Sequence, residues 1–286
     1  MTTLFDTETY LLGDRQVRRI GYGAMQLAGP GVFGPPRDHA AALAVLRGAI
    51  AAGVNHIDTS DFYGPHVTNK LIHEALAPYP ADLVLVTKLG ARRGDDATWI
   101  PAQSADDLRK GLEDNLRLLG LDAMEVVNMR FMGDGHGPTE GPIAPQLEAL
   151  VAMQREGLIK HIGISTVTPA QVTAALDICP IVCVQNQYNL VTRGDDAMID
   201  DLAARGIAYV PYFPLGGFTP LQSDQLQAVA TRLSASPMQV AQAWLLRRSP
   251  NILLIPGTSS VAHLEQNLAV ASLVLDDEAM TTLNAI

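Results

Sequence analysis

The chain predicts one (β/α)8 barrel domain over residues 1–286, with a short β-hairpin at its N-terminal end. Three observations lead there. Short runs rich in Val and Ile alternate with segments of helical spacing, which implies parallel strands joined by crossover helices. Eight such runs occur in 286 residues, a length that suits eight units closed into one barrel. The dinucleotide fingerprint of the rival open sheet is absent, because "GYGAMQ" after the first run lacks the third glycine.

The hairpin is read from "YLLGDRQVRRI", where Gly13-Asp14 forms a turn between two extended runs. The strands follow as "IGYGAM", "VNHID", "LVLVTK", "MEVVNMR", "HIGIS", "IVCVQN", "IAYVPY" and "NILLIPG". Helical spacing covers 38–52, 67–77, 104–119, 143–156, 169–178 and 195–204. Two further helices, 222–233 and 237–248, precede the last strand, and 260–269 follows it. Ser236 before Pro237 has the form of an N-cap with proline at the first helical position. Gly53, Gly157 and Gly206 close helical runs, where a residue at positive φ is needed.

Composition narrows the class. Hydrophobic residues make up 48% and charged residues 17%, ample for a packed core. Thirty acidic against 20 basic side chains give a net charge of −10, which argues against a nucleic-acid partner. An anionic cofactor could still bind at helix N-termini. The two cysteines, Cys179 and Cys183, lack a second ligand pair for zinc and read as core residues in a reducing compartment. "GDGHG" offers His136 alone, so no metal site is expected. No apolar run approaches the ~18 residues of a membrane span. The acidic N-terminus does not resemble a signal peptide, and a cytoplasmic protein is expected.

In such a barrel the site forms at the C-terminal ends of the strands. Those ends are Met25 with Gln26, then Asp58, Lys88, Arg130, Ser165, Gln185, Tyr212 and Gly257. "HIDTSDFYG" adds Tyr63 just beyond Asp58. A free phenol titrates near pH ~10, and a neighbouring ammonium makes it more acidic. Asp58 could hold that ammonium on Lys88, so the three residues could move a proton to a carbonyl oxygen. The plainer reading is a buried Asp–Lys pair with a loop tyrosine beside it, and spacing alone leaves both open.

"HIDTSDFYG", "VTKLG", "LGLDAMEVV", "KHIGIS", "VQNQYN", "PYFPLGG" and "IPGTSSVAHLEQN" together resemble the aldo-keto reductases, in that family's order. The resemblance implies a (β/α)8 barrel that reduces small aldehydes or ketones with NADP(H), NAD(H) not being excluded. It makes Tyr63 the proton donor, Lys88 the group that lowers its pKa, and Asp58 the partner of Lys88. Ser165 and Gln185 would hold the nicotinamide carboxamide and Tyr212 would stack on the ring, with Gly23, Met25 and Thr166 also among the cofactor-binding positions. Phe213, Pro214, Leu215, Gly216 and Gly217 would pass over the pyrophosphate. Gly257, Thr258, Ser259 and His263 would meet the adenosine 2′ side, and Gln266 and Asn267 the adenine.

Several departures from the family pattern matter. Thr166 stands where the family has asparagine, no lysine or arginine stands at the 2′-phosphate segment, and the C-terminal loop is short. Arg130 stands where most members have a histidine that orients the substrate carbonyl. An arginine stays protonated and can only donate hydrogen bonds. It would either face substrate or pair with a carboxylate such as Asp58. Phe33, Phe62, Trp99, Phe131 and Phe218, with His136, are the candidate pocket walls. The favoured substrate is an aromatic or heteroaromatic aldehyde such as pyridoxal. The other reading is a nicotinamide-binding regulatory or redox-sensing subunit with little turnover. Oligomeric state is not legible.

Overall fold

The computed structural model of the protein describes residues 2–133, 137–214, 216 and 223–286. Strands β1 (Thr9–Leu12) and β2 (Arg15–Arg18) form the expected antiparallel hairpin, with Gly13 at φ +67° in its turn. The barrel is built from β3 (Tyr22–Gly23), β4 (His56–Asp58), β5 (Val84–Leu89), β8 (Met124–Arg130), β9 (Ile159–Ser165), β10 (Ile181–Gln185) and β11 (Ala208–Tyr209). All seven pair in parallel, in the order β11-β10-β9-β8-β5-β4-β3. An eighth segment around residues 251–257 closes the circle. Leu253 N donates to Tyr209 O on one side, and Leu254 N to Arg19 O on the other, at 2.9 and 2.8 Å. The chain is a (β/α)8 barrel.

That closure explains two glycines. Gly23 and Gly257 form a bridge across the seam, and a Cβ on Gly23 would run into the Ile255 carbonyl oxygen. A Cβ on Gly257 would lie 2.7 Å from Gly23 O. Backbone cannot step aside as a side chain can. Gly23→Ala is therefore expected to lose about 1–3 kcal/mol of stability, the usual cost of overpacking, read as a lower denaturant midpoint.

Strand alternation sorts the side chains. Val84, Val86 and Val126 point inward and pack with Cys183, Ala208, Val210 and Leu253. Leu12 and Val17 of the hairpin join the same cluster and plug the N-terminal end of the barrel. The outward residues, such as Leu85, Leu89, Val127 and Met129, meet the helices in the larger core. Two positions further along the inward rows come Lys88 after Val86, Arg130 after Asn128, and Ser165 after Gly163. The rows thus turn from apolar to polar at one end.

The helices are α1 (His39–Ala51), α2 (Val67–Leu76), α3 (Ala105–Leu119), α4 (Ala144–Arg155), α5 (Pro169–Ile178), α6 (Asp196–Ala204), α7 (Asp224–Arg232), α8 (Pro237–Arg248), α9 (Val261–Ala269) and α10 (Asp277–Asn284). Ser236 caps α8 in a reciprocal box with Gln239, as its sequence suggested. No helix among the described residues is long and apolar enough to cross a membrane.

Apart from short 3-10 turns, two elements among the described residues are not anticipated by the sequence. One is α10, capped by the Asp276 carboxylate on Ala279 N. The other is a hairpin of β6 (Ala91–Arg93) and β7 (Trp99–Pro101), inserted straight after β5. Arg93 staples this hairpin to the loop after β3. Its guanidinium donates to Val32 O at 2.7 Å, Gly31 O at 3.0 Å and Ala97 O at 2.7 Å.

Candidate active site

The polar end of the barrel opens into a cavity of about 540 Å³. Asp58, Lys88, Arg130, Ser165 and Gln185 reach it from the ends of their strands, and Tyr63 from the loop between β4 and α2. Asp58 and Lys88 are nearly fully buried and joined by a short ion pair, Lys88 Nζ to Asp58 Oδ1. The other carboxylate oxygen accepts from Gln185 Nε2 at 3.1 Å. Lys88 also stands beside Tyr63, with its Nζ 5.4 Å from the phenol ring centre, so its charge acts on the hydroxyl. The loop is held by Thr59 N donating to Val86 O at 2.8 Å and by Phe62 edge-on to Tyr63, ring centres 5.4 Å apart.

The electrostatics follow from burial and charge together. Burial works against the Lys88 ammonium, yet Asp58 and Tyr63 raise its pKa above the ordinary lysine value. Burial likewise raises Tyr63, and the cations Lys88 and Arg130 only partly oppose it. The direction of the Lys88 effect is as expected, but desolvation outweighs it. Tyr63 is thus a neutral phenol at physiological pH, which suits a donor rather than a base.

Arg130 does not pair with Asp58, which is taken by Lys88 and Gln185. Its guanidinium lies 5.3 Å from the ring centre of Trp99, and among the described residues it has no carboxylate partner. Arg93 meets the same ring at 4.2 Å, so the unanticipated hairpin presents Trp99 to the cavity. Phe62 and Phe131 were expected at the wall but are 1% and 7% exposed and do not line the cavity. They are too apolar to stay at the mouth while core remains to be filled. Phe33 also stands outside the lining, against Arg93 at 5.3 Å. His136 and Phe218 lie outside the described residues.

The remaining predicted positions separate into a floor and a groove. Gly23, Met25, Ser165, Gln185, Tyr212, Phe213, Pro214 and Gly257 line the cavity. Gln185 Oε1 is buried with no partner among the described residues. Such an orphan acceptor fits a ligand that brings an N–H, as a primary carboxamide does. Thr166 sits just behind at φ +61°, a strained conformation for a β-branched residue that asparagine adopts more readily. Its hydroxyl lies 3.3 Å from Ser165 Oγ and, against the larger rise from burial, lowers the Tyr212 phenol pKa, so the residue at this position still acts on the floor.

Gly216 turns the chain at φ +92°, its N–H donating to Phe213 O. Leu215 and Gly217 lie outside the described residues. Thr258 is buried, its carbonyl accepting from Tyr22 Oη at 2.5 Å. Ser259, His263 and Gln266 are exposed at and along α9, whose N-terminus Ser260 caps. Asn267 is half-buried and accepts from Gln242 at 3.0 Å. These α9 residues lie beyond the cavity, on the side of the barrel seam.

Sequence reasoning missed a buried amide network behind the tyrosine loop. Asn115 of α3 donates to Asp61 Oδ1 at 3.1 Å and accepts from Thr87 and Asn69 at 2.6 and 2.8 Å. Thr59 completes it by donating to Asn69 at 2.8 Å. The available signal was polar residues at core positions of α2 and α3. Burial pushes the Asp61 carboxyl up to about 7, with Asp114 adding to the rise, and His66 also lies close by. A carboxyl raised in the folded state stabilises fully below its unfolded value near ~4, and that stability is lost as pH rises through about 7. Asp61→Asn keeps an acceptor for Asn115. It should melt like wild type at pH ~4 and be more stable by on the order of 1–3 kcal/mol at pH ~8. A constant offset across that range would show that Asp61 is not the titrating group.

A parallel barrel whose C-terminal mouth joins a carboxylate, an ammonium and a phenol, beside an orphan amide acceptor, is built for proton-coupled reduction of a polar double bond. Comparison with known proteins gives the same class. The family model for the aldo/keto reductase family matches residues 19–286. A pyridoxine 4-dehydrogenase of Escherichia coli (strain K12) is 65% identical over 281 residues, 98% of each chain. Among solved structures, a thermostable aldo-keto reductase bound to the inhibitor epalrestat is 27% identical, with TM-score 0.81 over 97% of this chain and 99% of the other. An aldo/keto reductase from Klebsiella pneumoniae, in complex with NADP and acetate, shares the fold at 22% identity and TM-score 0.79, over 98% and 95% of the two chains. The chain belongs to the aldo/keto reductase family and is an oxidoreductase.

Proposed function

We propose that the chain is an NADP(H)-dependent cytoplasmic reductase of small aldehydes, and that pyridoxal, interconverted with pyridoxine, is among its substrates. The observation that carries this reading is the close approach of the Lys88 ammonium, paired with Asp58, to a buried Tyr63 at the cavity floor. The 65% identity to a pyridoxine 4-dehydrogenase supports the substrate.

When bound, NADPH supplies the hydride. Gln185 and Ser165 would hold its carboxamide, the orphan Gln185 oxygen being free to accept an amide N–H, and Tyr212 would offer a flat face for the ring. Tyr63 donates its phenolic proton to the carbonyl oxygen as carbon is reduced. The phenolate left behind is met by the Lys88 ammonium, which Asp58 keeps charged and aimed. Arg130 donates a hydrogen bond to the developing alkoxide. In the reverse direction the same phenolate accepts the alcohol proton, so oxidation requires a higher pH than reduction.

The test is NADPH consumption, followed at 340 nm, with pyridoxal and benzaldehyde as substrates, together with NADPH fluorescence on binding. Enhanced NADPH fluorescence with turnover supports the reading. Binding without turnover of any aldehyde would favour a sensing role, and no binding would sink the proposal.

A further inference from the structure

The cavity carries more positive charge than proton transfer uses. Its described lining holds one carboxylate, Asp58, and two cations, Lys88 and Arg130. Asp58 is already matched to Lys88. Among the described residues Arg130 is left without a carboxylate partner, half-buried and laid against Trp99, in a protein whose net charge is −10. A stranded cation in a site of this kind is costly unless a ligand completes it.

Resting on the reductase reading above, we propose that Arg130 selects carbonyl compounds that carry an ionised oxygen beside the reacting carbonyl, as an aromatic aldehyde with an ortho oxyanion does. The argument is one of shape as well as charge. A guanidinium presents parallel N–H groups in a rigid fork, which fits two oxygens held side by side in one plane. A carbonyl oxygen and a neighbouring oxyanion form such a pair. They repel each other unless a cation lies between them, so the fork also holds the aldehyde in the planar conformer with both oxygens on one side. Trp99 covers the guanidinium and shields it from water, which strengthens the attraction. A histidine at this place would offer one N–H and no fixed charge.

The experiment compares kcat/KM for 2-hydroxybenzaldehyde, 4-hydroxybenzaldehyde and 2-methoxybenzaldehyde across the pH range in which the phenols ionise. In the wild type the 2-hydroxy compound should gain about tenfold over the 2-methoxy ether as it ionises, the size of one charge-assisted hydrogen bond. The 4-hydroxy isomer, charged but with distant oxygens, should gain little. Arg130→Met should bring the ratio to about one at every pH, whereas Arg130→Lys, keeping charge without the fork, should fall between. An unchanged ratio in Arg130→Met, or an equal gain for the 4-hydroxy isomer, would overturn the proposal.

A binding measurement covers a variant too slow to assay. Benzoate and benzamide are titrated against the fluorescence of Trp99, the other tryptophan being Trp244, stacked on Tyr188 in the core. Benzoate should bind the wild type about tenfold more tightly than benzamide, and Arg130→Met equally. Equal affinities in the wild type would overturn the selectivity while leaving the reductase reading intact. That reading fails separately, if no aldehyde is turned over at all.

Discussion

Tyr63→Phe is expected to lower kcat/KM for aldehyde reduction by about 10²–10⁴-fold, the range general-acid catalysis supplies. The substitution removes one oxygen from a buried ring packed edge-on against Phe62 and leaves the ion pair beneath it intact. Fold and NADPH affinity should therefore change little, which separates this variant from one that merely unfolds. The pH profile adds a second check. Because burial holds Tyr63 above the ordinary phenol value, wild-type reduction should stay flat through neutrality and fall only in the alkaline range, as the donor loses its proton. The residual activity of Tyr63→Phe should lack that alkaline limb. If the variant kept wild-type turnover, another group would have to be the donor.

Much of this is legible in the sequence. The alternation of apolar runs with helical spacing is a property of every strand–helix unit, so it survives errors at any one of them. Asp58, Lys88, Arg130, Ser165 and Gln185 could be picked out because a polar residue ending an apolar strand has few places to go except the barrel mouth. What could not be read arose from long-range competition. Phe62 and Phe131 lie beside the mouth in sequence, but burial in the core outbids exposure at the rim. Trp99 gains its place from a hairpin whose register, Arg93 opposite Trp99, depends on contacts with Val32 and Gly31 from another loop. The balance of effects at Tyr63 is hidden for a related reason. Sequence identifies the neighbouring cation but not the desolvation that opposes it.

Lys88→Met should show how tightly chemistry and stability are bound together at this floor. Asp58 is 4% exposed and would keep only the Gln185 amide as a described side-chain partner. Removing one member of a buried ion pair costs about 3–5 kcal/mol, chiefly because the remaining charge is stranded. A stranded charge is costly only while it is a charge, so the penalty is smallest in acid and grows as pH rises. Denaturant midpoints of the variant should thus fall further below wild type at pH ~7.5 than at pH ~4.5. Adding Asp58→Asn should recover most of the loss at the higher pH, since the double variant buries no unpaired charge. It should not recover turnover, because the phenolate of Tyr63 would still lack the ammonium that receives it. A pH-independent deficit, with no rescue by Asp58→Asn, would mean that Lys88 contributes packing rather than charge. The ion pair would then have to be set aside as the device that readies Tyr63.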